Sequence, residues 1–284
     1  MNTHATLVTA DRLQALQARG GVLVVDCRCD LADVEGGARA HLAGHVPGAV
    51  HADLEHDLSD PSKTGLGRHP LPDAQVFSQV LRRWGWTPEL DVVAYDAAGG
   101  ALAAARLWWM LRLTGHARVS VLDGGFPAWR DGGGALEAGD VRRDPSRVEV
   151  AFDPGEVVGC DELQQGLRDG RMLLVDARAA PRFRGEVEPL DPVAGHVPGA
   201  VNRPFQRNLA ADGTFLARDA LRQSFTALLA GRDPRDVVHM CGSGVTACHN
   251  LLAMEHAGFA GSRVFAPSWS GWIDDRSRAV AVGD

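Results

Sequence analysis

The sequence predicts an α/β protein of two tandem domains, each a mainly parallel sheet covered by helices on both faces. Two observations carry that expectation: a segment written twice, and apolar runs that alternate with helical periodicity in the same order in each half. Ala43-Gly44-His45-Val46-Pro47-Gly48-Ala49-Val50 returns unchanged as Ala194-Gly195-His196-Val197-Pro198-Gly199-Ala200-Val201, an offset of 151. Val24-Val25-Asp26-Cys27-Arg28 matches Leu174-Val175-Asp176-Ala177-Arg178, and Asp11-Arg12-Leu13 matches Asp161-Glu162-Leu163, both at 150. A period this long lies far beyond solenoid repeats and means a duplicated domain.

Each half can be read in order. A short helix is expected over 10–19 and 160–168, followed by a buried apolar strand over 22–25 and 172–175. The repeated Gly/Pro turn comes next, then a polar excursion and a second helix over 74–84 and 217–229. A second apolar strand (92–95, 237–240), a loop and a third helix (101–113, 245–256) follow. A last strand (119–122, 263–266) leads each half to a tryptophan, Trp129 or Trp272. Short continuous apolar strands separated by helices indicate a parallel sheet buried on both faces. The Pro- and Gly-containing stretch 142–158 reads as a linker, giving domains over 1–141 and 159–284.

With 284 residues, 45% hydrophobic and 23% charged, the chain has the composition of a globular protein large enough for two cores. A net charge of -7 with scattered basic residues leaves no nucleic-acid footprint. The first twenty residues lack the continuous apolar core of a signal peptide, and no run is long enough to span a membrane. A cytoplasmic location is therefore expected, with the five cysteines as free thiols. The Cys27-x-Cys29 pair, without a second pair or histidines at ligand spacing, is weak ground for zinc. Neither metal nor cofactor is expected.

Chemistry concentrates in Cys241-Gly242-Ser243-Gly244-Val245-Thr246. One cysteine opens a Gly-rich loop between an apolar strand and a helix, where backbone N–H groups and the helix N-terminus favour an anion such as a thiolate or persulfide. Gly242 and Gly244 are the expected positive-φ positions. A buried structural thiol is the alternative for Cys241.

At this point the chain resembles the tandem-domain rhodanese family of sulfurtransferases, over nearly its whole length. The repeated Gly-His-Val-Pro-Gly-Ala is similar to that family's signature. Val121-Leu122-Asp123-Gly124-Gly125-Phe126-Pro127-Ala128-Trp129 and Ser268-Trp269-Ser270-Gly271-Trp272 resemble its two closing motifs. The loop from Cys241 to Thr246 resembles the active loop of the 3-mercaptopyruvate type. The resemblance implies that Cys241 takes a sulfane sulfur from a small-molecule donor as a persulfide and passes it to a thiol or cyanide. A thioredoxin-like reductant is one such acceptor. In the first half Asp96 aligns on Cys241, and an aspartate cannot carry sulfur. That half is expected to be inactive and to wall one side of an active-site cleft.

The remaining site residues follow from the same resemblance. Arg182 matches a substrate-binding arginine, whose guanidinium suits a carboxylate or thiosulfonate; an ion pair with Glu186 or Glu188 is the alternative. Many mercaptopyruvate enzymes carry a second arginine where this chain reads Pro189-Leu190-Asp191-Pro192, which leaves Arg184 as the expected substitute. Ser243 either caps the helix entry or relays a proton to the departing enolate. His69 and Glu55 stand where the family completes a serine–histidine–acid relay, unless His69 is a solvent-exposed loop residue. The thiosulfate type carries Arg-Lys in place of Gly242-Ser243. The uncharged pair points to 3-mercaptopyruvate, with thiosulfate:cyanide transfer as the alternative.

Two other classes are tested by the same loop. Phosphatases sharing this fold require an arginine six residues after the cysteine, where this chain has Ala247. Non-catalytic modules lose the cysteine, as the first half has done and the second has not. His45, His196, Asp26 and Asp176 occur in both halves, which marks them as structural. Cys248 reads as core.

Overall fold

The computed structural model describes residues 4–30 and 32–284. The chain divides into one unit built from residues up to Asp60, Leu71–Asp153 and Ala210–Phe215, and a second from Pro61–Pro70, Pro154–Leu209 and Leu216–Asp284.

The first unit contains β1 (Leu7–Val8), α1 (Ala10–Arg19), β2 (Val22–Asp26), α2 (Gly36–Ala43), β3 (Val50–His51), α3 (Ala74–Arg83), β4 (Asp91–Tyr95), α4 (Ala103–Leu113), β5 (Val119–Leu122) and α5 (Gly125–Asp131). The second repeats the plan with β6 (Val157–Val158), α6 (Cys160–Arg168), β7 (Leu173–Asp176), α7 (Ala180–Phe183), β8 (Val201–Asn202), α8 (Arg218–Leu229), β9 (Val237–Met240), α9 (Ala247–His256), β10 (Arg263–Phe265) and α10 (Ser268–Trp272). Strand order is β1-β5-β4-β2-β3 in one sheet and β6-β10-β9-β7-β8 in the other. Every pairing is parallel. The central strands β4 and β9 carry the buried runs Val92–Tyr95 and Val237–Met240. Apolar side chains on both pleats demand cover on both faces.

The helices obey their local chemistry. Thr9 Oγ1 accepts the Arg12 N–H at 3.3 Å and caps α1, whose Leu13 and Leu16 enter the core. In α4 the run from Ala103 to Leu111 is buried all round, as suits a helix enclosed by its unit.

The expected linker is instead divided between the units. Ser146 N–H bonds Arg82 O, Val150 N–H bonds Ser78 Oγ and the Phe152 ring packs tilted against Phe77, tying this stretch to α3. Val157 and Val158 pair with Val264 and Phe265 as an edge strand. Two-residue strands such as β1 and β6 leave no periodicity to read, and they form because a neighbouring strand offers its edge.

The duplicated residues hold the frame. Arg28 Nη2 lies 2.6 Å from Asp26 Oδ2, and Arg178 Nη2 lies 2.7 Å from Asp176 Oδ2, all four buried. Burial alone would raise the Asp26 carboxyl; hydrogen bonds from His41 and Arg28 outweigh it and hold the group below its ordinary value. His45 Nδ1 and His196 Nδ1 approach the carbonyls of His41 and Phe183 at 2.7 and 2.9 Å, fixing the repeated turns.

Candidate active site

Cys241 follows the last residue of β9 and is 2% exposed. Gly244, at φ 81°, reverses the loop so that its N–H points back at Cys241 Sγ, 3.2 Å away. Gly244 is the only one of the two loop glycines at positive φ. A β-carbon at Gly242 would stand tight against Arg68 Nη2, at 3.1 Å, and in ordinary contact with Arg182 Nη1 and Nη2, at 3.6 Å.

The segment at α10 fixes the loop backbone. Ser268 Oγ accepts the Cys241 N–H at 3.1 Å, while the N–H groups of Trp269 and Ser270 bond the carbonyls of Cys241 and Gly242 at 3.0 and 2.9 Å. Ser268 is buried at φ 53°, the left-handed region that favours glycine. Strain of this kind persists where the surroundings over-determine the backbone. Sequence reasoning did not single out Ser268. Its signal lies in the first copy, where the aligned residue of the closing motif is Gly125, at φ 61°.

The first unit displays what this loop is shaped to hold. Asp96 is fully buried and accepts N–H groups from Ala98 and Gly100 on Oδ1, at 2.8 and 2.9 Å, and from Leu102 and Ala104 on Oδ2, at 2.9 and 3.2 Å. Phe126 N–H bonds Asp96 O at 2.8 Å, the counterpart of the Trp269–Cys241 bond. Burial lifts the Asp96 carboxyl above its ordinary value, and the four N–H groups oppose that rise. A loop that surrounds a carboxylate with N–H donors is a built anion site.

Ser243 and His69 come together. Ser243 Oγ lies 2.7 Å from His69 Nδ1, and both side chains are buried. The placement depends on Gly67, at φ 84°, where a β-carbon would stand 2.4 Å from Pro267 O. Arg68 N–H then bonds Ser270 Oγ at 3.0 Å, seating His69 against the loop. His69 is thus no solvent-exposed loop residue. Glu55 belongs to the other unit, where its N–H bonds Asp53 Oδ1 at 2.8 Å. Val245 is buried, and Thr246 is the N-cap residue of α9, without a side-chain cap bond.

Of the two expected arginines, only Arg182 stands beside the loop. Its Nη2 bonds Glu188 Oε1 at 2.6 Å and Asp191 Oδ2 at 3.2 Å. Arg184 turns away to a surface pair with Glu186, at 2.7 and 3.0 Å, because a carboxylate two residues on meets it first. The second guanidinium near Gly242 comes from Arg68, whose Nη1 bonds Asp191 Oδ1. No spacing rule links positions 68 and 191, so only the folded chain reveals this pair.

None of the five cysteines is in a disulfide. Burial pushes the Cys27 and Cys160 thiols up, and Cys29 up to about 12, which makes these three poor nucleophiles. Cys248 is fully buried, with Sγ 3.4 Å from Gly244 O. Among the described residues no group of His, Cys, Asp or Glu is placed to hold a metal ion, and no helix is long and apolar enough to cross a membrane.

The chain is similar to known proteins over nearly its full length. A Pseudomonas aeruginosa protein provisionally named 3-mercaptopyruvate sulfurtransferase is 48% identical over 99% of this chain and 100% of its own length. A Mycobacterium tuberculosis protein provisionally named thiosulfate sulfurtransferase SseB is 42% identical over 98% of this chain and 97% of its own. The crystal structure of SseA from Escherichia coli, described as a 3-mercaptopyruvate sulfotransferase, superposes with a TM-score of 0.81 at 31% identity, covering 94% of this chain and 99% of that one. The model of the rhodanese-like domain matches twice, over residues 9–131 and 160–275. With both halves of its duplication matched, the chain belongs to the rhodanese family of sulfurtransferases.

Proposed function

We propose that this chain moves a sulfane sulfur from 3-mercaptopyruvate to a thiol or cyanide acceptor through a persulfide on Cys241. The observation that carries the reading is the contact of Ser243 Oγ with His69 Nδ1, 2.7 Å, beside the Cys241 loop. Thiosulfate leaves as sulfite, which needs no proton; 3-mercaptopyruvate leaves as an enolate, which does.

The Cys241 thiolate attacks the donor sulfur. The carbon–sulfur bond breaks, its electron pair stays on carbon as the enolate of pyruvate, and Cys241 is left as the persulfide. Ser243 hands the enolate a proton that His69 replaces. The acceptor attacks the outer sulfur, and the sulfur–sulfur electron pair returns to Cys241 as thiolate. The Gly244 N–H and the remainder of the loop stabilise the persulfide anion between the two steps, as Asp96 is held in the first unit. A thioredoxin-like dithiol is the acceptor class that would release the sulfur as sulfide.

The test is mass spectrometry of the intact protein after incubation with each donor. One added sulfur atom, localised to Cys241 and absent from Cys241→Ser, is expected. An adduct that survives that substitution removes the reading. Thiosulfate is the alternative donor, the one in the name of the Mycobacterium tuberculosis relative.

A further inference from the structure

Two guanidinium groups converge on Gly242, from positions 68 and 182. Arg68 Nη2 and Arg182 Nη1 are the nitrogens left over from the ion-pair network, and neither meets an acceptor among the described residues. Both border the space that a β-carbon at Gly242 would fill. Two N–H donors facing one gap beside a nucleophilic loop suit a planar carboxylate.

The same two arginines are bridged on their other side. Asp191 takes Arg68 on Oδ1 and Arg182 on Oδ2, with its side chain 2% exposed. Glu188, 3% exposed, takes Arg182 again and also Arg178 at 3.4 Å. Arg68 and Arg182 bring two positive charges, and Glu188 and Asp191 return two negative ones. The pair therefore offers directed donors without excess charge. A second arginine at position 191 would have made the same corner strongly cationic. An aspartate there penalises a doubly charged donor more than a singly charged one.

We propose that Arg68 and Arg182 together hold the donor's carboxylate and that Asp191, by bridging them, selects a singly charged donor over a doubly charged one. Arg68 touches the substrate; Asp191 acts through the two arginines as a positioning and specificity residue. The inference rests on the Cys241 reading above and adds to it which residues choose the donor.

The experiment measures kcat and KM for 3-mercaptopyruvate and thiosulfate on the unaltered chain, Arg68→Ala, Arg68→Lys and Asp191→Asn, with thermal melting of each. Arg68→Ala should raise KM for 3-mercaptopyruvate about 10- to 100-fold, the loss of one charge-assisted hydrogen bond, with a smaller change in kcat. Arg68→Lys should recover part of that loss. Asp191→Asn should shift the ratio of kcat/KM values toward thiosulfate by about tenfold, a change that loss of packing alone would not favour for one donor. An unchanged KM in Arg68→Ala, or an unchanged donor ratio in a folded Asp191→Asn, overturns the proposal. If Asp191→Asn melts, the split between Arg68→Ala and Arg68→Lys decides it. Should the unaltered chain take no sulfur on Cys241 from either donor, the Cys241 reading fails first. If it does take sulfur and the variants change nothing, only the Arg68–Asp191 assignment fails.

Discussion

Ser243 Oγ and His69 Nδ1 meet at 2.7 Å across 174 positions of sequence, both buried. A helix cap needs no such partner, and Ser243 lies four residues ahead of α9. In the proposed reaction the contact gives the serine its proton source. Ser243→Ala should lower kcat with 3-mercaptopyruvate by about 100-fold or more, the usual scale of a positioned proton donor. With thiosulfate the loss should be slight. His69→Ala should match it, and the double variant should be no slower than either single one. Equal losses on both donors would show that the pair only props the loop.

Asp96 fills the anion site of the first unit with a fixed charge, so its removal is a test of the loop's shape. Asp96→Ala leaves four N–H groups without their acceptor, and the buried ones, of Gly100 and Ala104, cost about 1–3 kcal/mol each if they find no other. The first unit should melt markedly earlier, while sulfur loading of Cys241 persists below that transition. Calorimetry with parallel mass spectrometry reads both. An unchanged melting curve would mean that the carboxylate is not what the loop is built around.

Ser268 combines a strained backbone with a needed hydroxyl, and two substitutions separate them. Ser268→Ala keeps φ 53° and strips the acceptor from the Cys241 N–H. Ser268→Gly loses the same acceptor but relieves roughly 1–2 kcal/mol of left-handed strain. The glycine variant should therefore melt above the alanine variant, and both should load Cys241 more slowly than the unaltered chain. The reverse order of stability would remove the strain argument.

Much of the fold is legible in the sequence because the chain is written twice. The repeat by itself sets Asp96 opposite Cys241, and apolar runs of four or five residues locate the central strands. Edge strands of two residues, β1 and β6, carry no such signal. Arg68 is hidden for a different reason. The segment Pro61–Pro70 leaves its sequence neighbours to join the second unit, so local pattern cannot reveal what it touches. Arg184 misleads because arginine spacing is blind to Glu186, which claims it. Residue types at a site can be read from sequence; which charge neutralises which cannot.

Glu188 makes acid stability a measure of the arginine network. Burial alone would raise its carboxyl, but Arg182 and the N–H groups of Leu190 and Asp191 hold it below the ordinary value of 4.5. The unfolded chain therefore takes up this proton first as pH falls. The contribution to stability is complete above the ordinary value, declines as pH drops toward the folded value, and is gone below it. Glu188→Gln should be less stable than the unaltered chain near pH 7, with the gap narrowing as the pH falls below the ordinary carboxylate value. Urea midpoints across that range check it; a gap that stays constant with pH would assign the loss to packing.

Gly67 is the hinge on which both Arg68 and His69 depend. At φ 84° its missing β-carbon leaves room for Pro267 O, which would otherwise stand 2.4 Å away, and for Ser270 Oγ at 2.8 Å. Gly67→Ala must either strain the backbone, at about 1–3 kcal/mol, or lift the segment off α10. Lifting breaks the Arg68 N–H bond to Ser270 Oγ, the Arg68–Asp191 pair and the His69–Ser243 contact. The variant should then lose 3-mercaptopyruvate activity through a higher KM and a lower kcat together, since donor binding through Arg68 and proton delivery through His69 fail at once. That profile differs from Ser243→Ala, which lowers kcat, and from Arg68→Ala, which mainly raises KM. Limited proteolysis supplies the structural readout: cleavage within Pro61–Pro70 should accelerate in Gly67→Ala. A variant that resists the protease and still turns over 3-mercaptopyruvate normally would show that the segment is held by contacts other than these.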